Sequence, residues 1–210
     1  MSEALGRLGG ESDYYLDQKV RILRNELAGR RVKRILDFGS GIGLAIPFLK
    51  ESFRPEKLVC TDQSKESLRL LAEKFSEVQT VSEHEIEEES HDLVFVANVL
   101  HHVPPSERAD LVKTLSRYLA VGGVLAVFEH NPMNPITRKI VSNCVFDKGV
   151  VLLQRREVAA HVEATASLKL IQKGYCLFVP EPLSKINWVE KYLKRVPFGG
   201  QHFVLAQRVI

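Results

Sequence analysis

The segment Arg34-Ile-Leu-Asp-Phe-Gly-Ser-Gly-Ile-Gly-Leu44 decides how the rest of the chain is read. Lys33–Phe38 is a short, mostly apolar strand candidate carrying an acid, Asp37, near its end. Glycines follow at positions 39, 41 and 43. Helical periodicity then runs from Ile42 to Phe53, with Pro47 tolerable only near the first turn of that helix. A strand, a glycine bend and a helix in succession make a turn that a ligand can touch closely. Glycine adopts positive φ, and a helix start offers unpaired amides. A dinucleotide fingerprint requires G-x-G-x-x-G. Counted from Gly39 and Gly41 the third glycine would fall on Leu44, and counted from Gly41 and Gly43 it would fall on Ile46, so neither register fits. An acid, Asp37, stands just before the bend.

Working outward, the same rhythm recurs. Upstream, Leu16, Val20, Leu23 and Leu27 sit at helical spacing within Tyr14–Ala28, and Gly29 supplies a stop. Downstream, strands are predicted at Lys57–Cys60, Val78–Val81, His91–Ala97 and Val124–Glu129. Helices separate them, one from the N-cap Ser64 to Phe75 and one from Pro104-Pro105 to Leu119, with Gly122-Gly123 read as the turn before the last strand. His91–Ala97 is almost continuously apolar, as a strand buried on both faces would be. This alternation predicts an α/β fold, a Rossmann-like, doubly wound and mostly parallel sheet with helices on both faces. Beyond Asn131 the rhythm breaks. A loop and helix reach Phe146, Arg155–Ala166 and Ser184–Lys194 read as helical, and Leu168–Val179 and His202–Gln207 read as extended.

Composition bounds the function. The chain has 210 residues, 45% hydrophobic and 26% charged, with a formal net charge of +3, which suits one globular domain and excludes a disordered or collagenous chain. No apolar run approaches the length of a membrane span, and no basic-then-apolar leader opens the sequence. The three cysteines, Cys60, Cys144 and Cys176, lie far apart without metal-ligand spacing, so no metal is expected and a cytoplasmic location is the default. No pattern of basic and aromatic residues marks a nucleic-acid partner.

Asp37-x-Gly39-x-Gly41-x-Gly43 resembles the first motif of class I S-adenosylmethionine-dependent methyltransferases. Leu58-Val-Cys-Thr-Asp62 agrees with it, ending a strand in an acid that can accept ribose hydroxyls or, alternatively, cap the following helix. Asp92–Val103 resembles that family's fourth strand and loop, and Leu119–Val124 the turn before its fifth. The resemblance implies S-adenosylmethionine as cofactor and a seven-stranded sheet whose last strand is antiparallel. It also implies cofactor contacts from Asp37, Gly39, Ser40, Gly41, Asp62, Gln63 and Asn98. The connection after the third strand is shorter than the family's, leaving Glu83 as the match for the acid that binds the adenine amino group. Gly10–Tyr15 with Lys19, and Phe128–Pro135 with Cys144–Asp147, resemble a small-molecule branch of the family. That likeness implies an N-terminal segment, residues 1–30, closing over the cofactor, with Tyr14 and Tyr15 at its methionine end and Lys19 at its carboxylate. Residues 31–131 would bind cofactor, and 132–210 would form the acceptor cap and C-terminal strands of the same single domain.

Ligands in open α/β sheets lie beyond the carboxyl ends of the strands. His101 and His102 after the fourth strand, with Glu129, His130 and Asn131 ending the fifth, should therefore surround a small-molecule acceptor. An imidazole titrating near neutrality suits proton removal, so His130 and His101 are the catalytic candidates, with hydrogen-bonded structural histidines as the alternative. Phe146, Trp188 and Tyr192 would either meet the acceptor or pack the cap. Two other functions remain open at this point. One is a noncatalytic cofactor-binding scaffold, and the other is a nicotinamide oxidoreductase, disfavoured by the failed glycine register.

Overall fold

Alternate residues of the central strands face opposite layers, and this is what makes their sequences so uniformly apolar. In the computed structural model, which describes residues 13–210, the strands are β1 (Arg34–Phe38), β2 (Lys57–Thr61), β3 (Gln79–Thr80), β4 (His91–Ala97), β5 (Leu119–His130), β6 (Leu168–Cys176) and β7 (Gln201–Arg208). They form one seven-stranded sheet in the order β3-β2-β1-β4-β5-β7-β6. The β1–β2, β1–β4, β2–β3 and β4–β5 pairings are parallel, and β7 runs antiparallel to both β5 and β6.

The helices divide between the two faces. Against one lie α1 (Asp13–Glu26), α2 (Ile46–Phe53) and α3 (Lys65–Lys74). Their Leu16, Val20, Leu23, Leu49 and Leu71 pack on Ile35, Leu93, Phe95 and Phe128. Against the other lie α4 (Arg108–Tyr118) and α6 (Arg155–Glu163), whose Val112, Leu115, Val158 and Val162 meet Leu36, Val94, Val96 and Val127. Each fully buried aliphatic side chain stabilises the fold by roughly 1.5–3 kcal/mol. The remaining helices, α5 (Pro135–Asn143) and α7 (Glu190–Leu193), belong to the segments after β5 and β6.

Several local readings hold, and some shift for visible reasons. Ser64 caps α3, its hydroxyl accepting from the Ser67 amide at 3.2 Å. Helix α2 starts later than its periodicity suggests, because turns closed by Gly43 N–H to Ser40 O and Ile46 N–H to Gly43 O occupy the intervening residues. Pro47 then falls in the first turn, where its missing N–H costs nothing. The Gly122-Gly123 pair is not a turn ahead of a strand. β5 runs continuously through it as a bulge, with Leu119 opposite His91 and Val124 opposite Leu93. A Cβ on Gly123 would lie 2.6 Å from the His91 carbonyl oxygen, so the bulge needs a residue without one. Ser184–Lys194, read as one helix, is the end of a 3-10 stretch at Glu181–Val189 followed by α7. Among the described residues no helix is long and apolar enough to cross a membrane.

Candidate functional site

The C-terminal ends of β1, β2, β4 and β5 converge on one edge of the sheet, and the bend after β1 occupies its centre. The amides of Gly39 and Ser40 both donate to the Thr61 carbonyl, at 2.9 and 3.0 Å, which ties the bend to the end of β2. Gly39 has φ +75°, and a Cβ there would collide with Val99 Cγ2. Gly41 has φ +53°, yet a Cβ built on it meets nothing within 4 Å. The first glycine is therefore required by packing against the loop after β4. The second faces open space at the centre of the bend.

Two carboxylates flank that space. Asp37 is buried at the end of β1, and its Oδ2 has no hydrogen-bond partner. Burial, with the nearby charge of Asp62 adding to it, pushes the Asp37 pKa up to about 7. A cation brought beside it would reverse both effects. Asp62 is partly exposed, and its oxygens accept from the Gly41 amide and the Ser64 amide, each at 2.8 Å. Asp62 thus ties the bend to the turn that leads into α3, whose N-cap is Ser64. A carboxylate has about four acceptor sites, so two remain for a diol. Gln63 is exposed next to it. Glu83 is exposed in a 3-10 turn, Glu83–Glu85, just beyond β3. Asn98, at φ +58°, donates its amide to the Phe128 carbonyl and accepts from Gln201 Nε2 at 3.1 Å.

From α1, Lys19 is fully buried, its ammonium 5.9 Å from the centre of the Phe128 ring. Tyr14 does something the sequence did not suggest. Its hydroxyl is shared between the Val179 carbonyl (3.0 Å) and Asn187 Oδ1 (2.6 Å), which pins α1 to the segment after β6. The part of the Gly10–Tyr15 stretch before Asp13 lies outside the described residues.

Beyond the ends of β4 and β5, a second polar cluster forms. Glu129 is wholly buried, its Oε1 accepting from the Val99 and Leu100 amides (3.0 and 2.6 Å) and its Oε2 from His101 Nδ1 (2.6 Å). His101 Nε2 faces Asp147 Oδ1 at 3.5 Å, and His102 Nε2 lies 3.4 Å from the same oxygen. Burial alone would lower the His101 pKa, but Asp147 and Glu129 outweigh it and hold the ring at about 9. For Glu129, burial pulls upward and His101 more than offsets it, leaving the carboxyl below its ordinary range. The His130 ring centre stands 5.2 Å from that of His101, with its Nδ1 3.4 Å from Gln201 Nε2.

The predicted acceptor neighbours His101, His102, Glu129 and His130 do gather here. Asn131 instead turns to the Pro197 and Gly199 carbonyls, at 3.0 and 2.8 Å. It also borders a cavity of about 320 Å³ lined by Gln154, Arg155, Arg156, Lys173 and Tyr175. Asp147 has no functional signal in the sequence beyond its place in the Cys144–Asp147 stretch, and Phe146, Trp188 and Tyr192 are mostly exposed at 62%, 65% and 69%.

A methyltransferase-domain family model matches residues 36–125. An uncharacterized methyltransferase from Staphylococcus carnosus is 26% identical over 127 residues, which span 58% of this chain and 60% of that relative's length. A methyltransferase structure from Archaeoglobus fulgidus superposes with a TM-score of 0.70 at 14% identity, covering 99% of each chain. The magnesium protoporphyrin IX methyltransferase of Synechocystis, solved with bound S-adenosylmethionine, gives 0.60 at 14% identity, over 93% of this chain and 79% of its own. The glycine bend and its two carboxylates fall within the matched residues. Residues 36–125 are thus similar to a methyltransferase domain, and the chain as a whole shares the fold of solved S-adenosylmethionine-dependent methyltransferases.

Proposed function

We propose that this chain transfers a methyl group from S-adenosylmethionine to a small-molecule acceptor. The observation that carries the reading is the pairing of a buried carboxylate at Asp37, whose Oδ2 has no hydrogen-bond partner, with an open glycine bend at Gly41. An amino acid end fits beside Asp37 through its ammonium, and Asp62 retains acceptor capacity for the ribose hydroxyls. Gly39, Ser40 and Gly41 would form the floor of the pocket, with Gln63 and Glu83 toward the adenine and Asn98 contacting the cofactor from the loop after β4. Lys19 is a buried cation suited to the cofactor's carboxylate. Tyr14 would hold α1 over the pocket through its bonds to Val179 and Asn187. Three cysteines set far apart along the sequence, without metal-ligand spacing, suit a reducing cytoplasm.

When bound, S-adenosylmethionine supplies an activated methyl group on a sulfonium. The chain's own contribution is to align the acceptor and exclude water. Glu129 fixes the loop after β4 through two amides and orients His101. His101, protonated between two carboxylates, is a donor rather than a proton acceptor near neutrality. His130 would then take the acceptor's proton or hold it.

Thermal unfolding tests the cofactor. S-adenosylhomocysteine at about 100 times its Kd should add about 2.7 kcal/mol, several degrees for a chain of this size, while NAD should add nothing. No shift, or a shift with NAD alone, would refute the reading. His130→Ala should lower turnover on an acceptor panel and leave S-adenosylhomocysteine affinity nearly unchanged. Binding without any turnover would favour a scaffold.

A further inference from the structure

We propose that His101, His130 and Asp147 bind a divalent cation of borderline softness, such as Zn²⁺ or Co²⁺, beside the acceptor. One ligand atom from each residue lies within 4.8 Å of the others. The His101 Nε2 to Asp147 Oδ1 separation is 3.5 Å. Ligands about 2.0–2.2 Å from a tetrahedral zinc are themselves roughly 3.3–3.5 Å apart, so that edge already has the required length. The edges to His130 are at most 4.8 Å and close with up to roughly 1 Å of side-chain adjustment by that partly exposed residue.

A second observation points to a ligand independently. The His101 side chain is 1% exposed, and its Nε2 faces Asp147 Oδ1 at 3.5 Å without a hydrogen bond of ordinary length. A contact that long leaves a buried nitrogen weakly satisfied. The opposite nitrogen, Nδ1, is bonded at 2.6 Å to Glu129, itself anchored by two backbone amides. That is how ligating histidines are normally held, with a carboxylate fixing the tautomer that leaves the other nitrogen for the metal. Two imidazoles and one carboxylate suit borderline ions better than Mg²⁺ or Ca²⁺, which prefer oxygen donors throughout. Three protein ligands also leave a coordination position open, the pattern of catalytic rather than structural sites.

Binding displaces the proton that His101 otherwise carries between Glu129 and Asp147, and this proton leaves to solvent. What the open position holds rests on the methyl-transfer reading: an oxygen donor of the acceptor, which narrows the acceptor class to hydroxyl- or carboxylate-bearing small molecules. As a ligand His130 would position the acceptor rather than take its proton, which for a hydroxyl acceptor would leave to solvent.

Co²⁺ alone is the probe, added to chelator-treated protein and followed by its visible d–d absorption. The expected result is a band that saturates at one equivalent, weakened at least tenfold in affinity by His101→Ala, by Asp147→Asn and by His130→Ala. His84→Ala, at an exposed histidine outside the cluster, should leave the band unchanged. Asp147→Asn is the variant least able to disturb folding, so failure of His101→Ala to fold leaves the test intact. No band in excess Co²⁺, or a band that survives Asp147→Asn and His130→Ala alike, would overturn the site. The S-adenosylhomocysteine thermal shift on the same samples separates the two readings. A cation band without that shift refutes the cofactor assignment and keeps the site, whereas the shift without the band does the reverse.

Discussion

Asp37→Asn should make the free protein more stable while weakening its cofactor binding. In the folded chain the Asp37 carboxyl titrates at about 7, against a reference of 3.8. Between those values the folded state binds more protons than the unfolded state, so stability falls as pH rises from about 4 to about 7 and stays lost above that. Roughly three pH units correspond to about 4 kcal/mol, on the order of 10 °C in Tm for a chain of this length. An Asn amide left without an acceptor would return about 1–3 kcal/mol of that gain, so a net increase should survive at pH 8. Urea denaturation of both proteins from pH 4 to pH 8 reads the effect as a difference that opens between pH 4 and 7 and is flat beyond. Affinity for S-adenosylhomocysteine should move the other way. Losing a charge-assisted hydrogen bond costs about 1.5–3 kcal/mol, roughly tenfold or more in Kd. A difference curve that is flat with pH, or a variant that binds as tightly as the parent, would refute the role given to this buried carboxylate.

The bend's glycines should separate in their effects. Gly39→Ala, strained at positive φ and colliding with Val99, should destabilise by about 2 kcal/mol or more in chemical denaturation. Gly41→Ala should cost only the backbone strain, about 1–2 kcal/mol, and show its larger effect in S-adenosylhomocysteine titration. Asp62→Ala should weaken that binding more than Glu83→Ala does by calorimetry, and equal losses would mean the ribose assignment is wrong. Arg108→Met removes a buried guanidinium that serves the Val103 and Val151 carbonyls and Glu157. Because Glu157 is partly exposed and can regain water, the stranded carbonyls set the cost, about 2–4 kcal/mol of unfolding free energy.

The order in which physical constraints act explains what could be read before the fold was known. β4 matches its predicted limits, His91–Ala97, because burial on both faces leaves an unbroken apolar run. α3 was legible from a local cap at Ser64, and the bend after β1 from glycines whose spacing is set by backbone geometry. Where contacts reach far along the chain, the pattern was silent. The Gly122-Gly123 bulge depends on the approach of His91 from another strand. The bonds of Tyr14 depend on Val179 and Asn187, more than 160 residues away. Glu129 and His130 were visible as strand-end residues, but His101 gains its two carboxylate neighbours only once the chain after α5 brings Asp147 back over the end of β4. The aromatics Phe146, Trp188 and Tyr192, read as meeting the acceptor or packing the cap, stand mostly exposed and do not pack it, because side-chain type records neither the path of a loop nor what covers it.

A crystal structure of the protein soaked with S-adenosylhomocysteine measures the central claim most directly. The predicted result places the ligand's ammonium beside Asp37 Oδ2, its ribose hydroxyls on Asp62 and its backbone against Gly41. Density elsewhere on the molecule, or a bend that stays empty at saturating ligand, would contradict it.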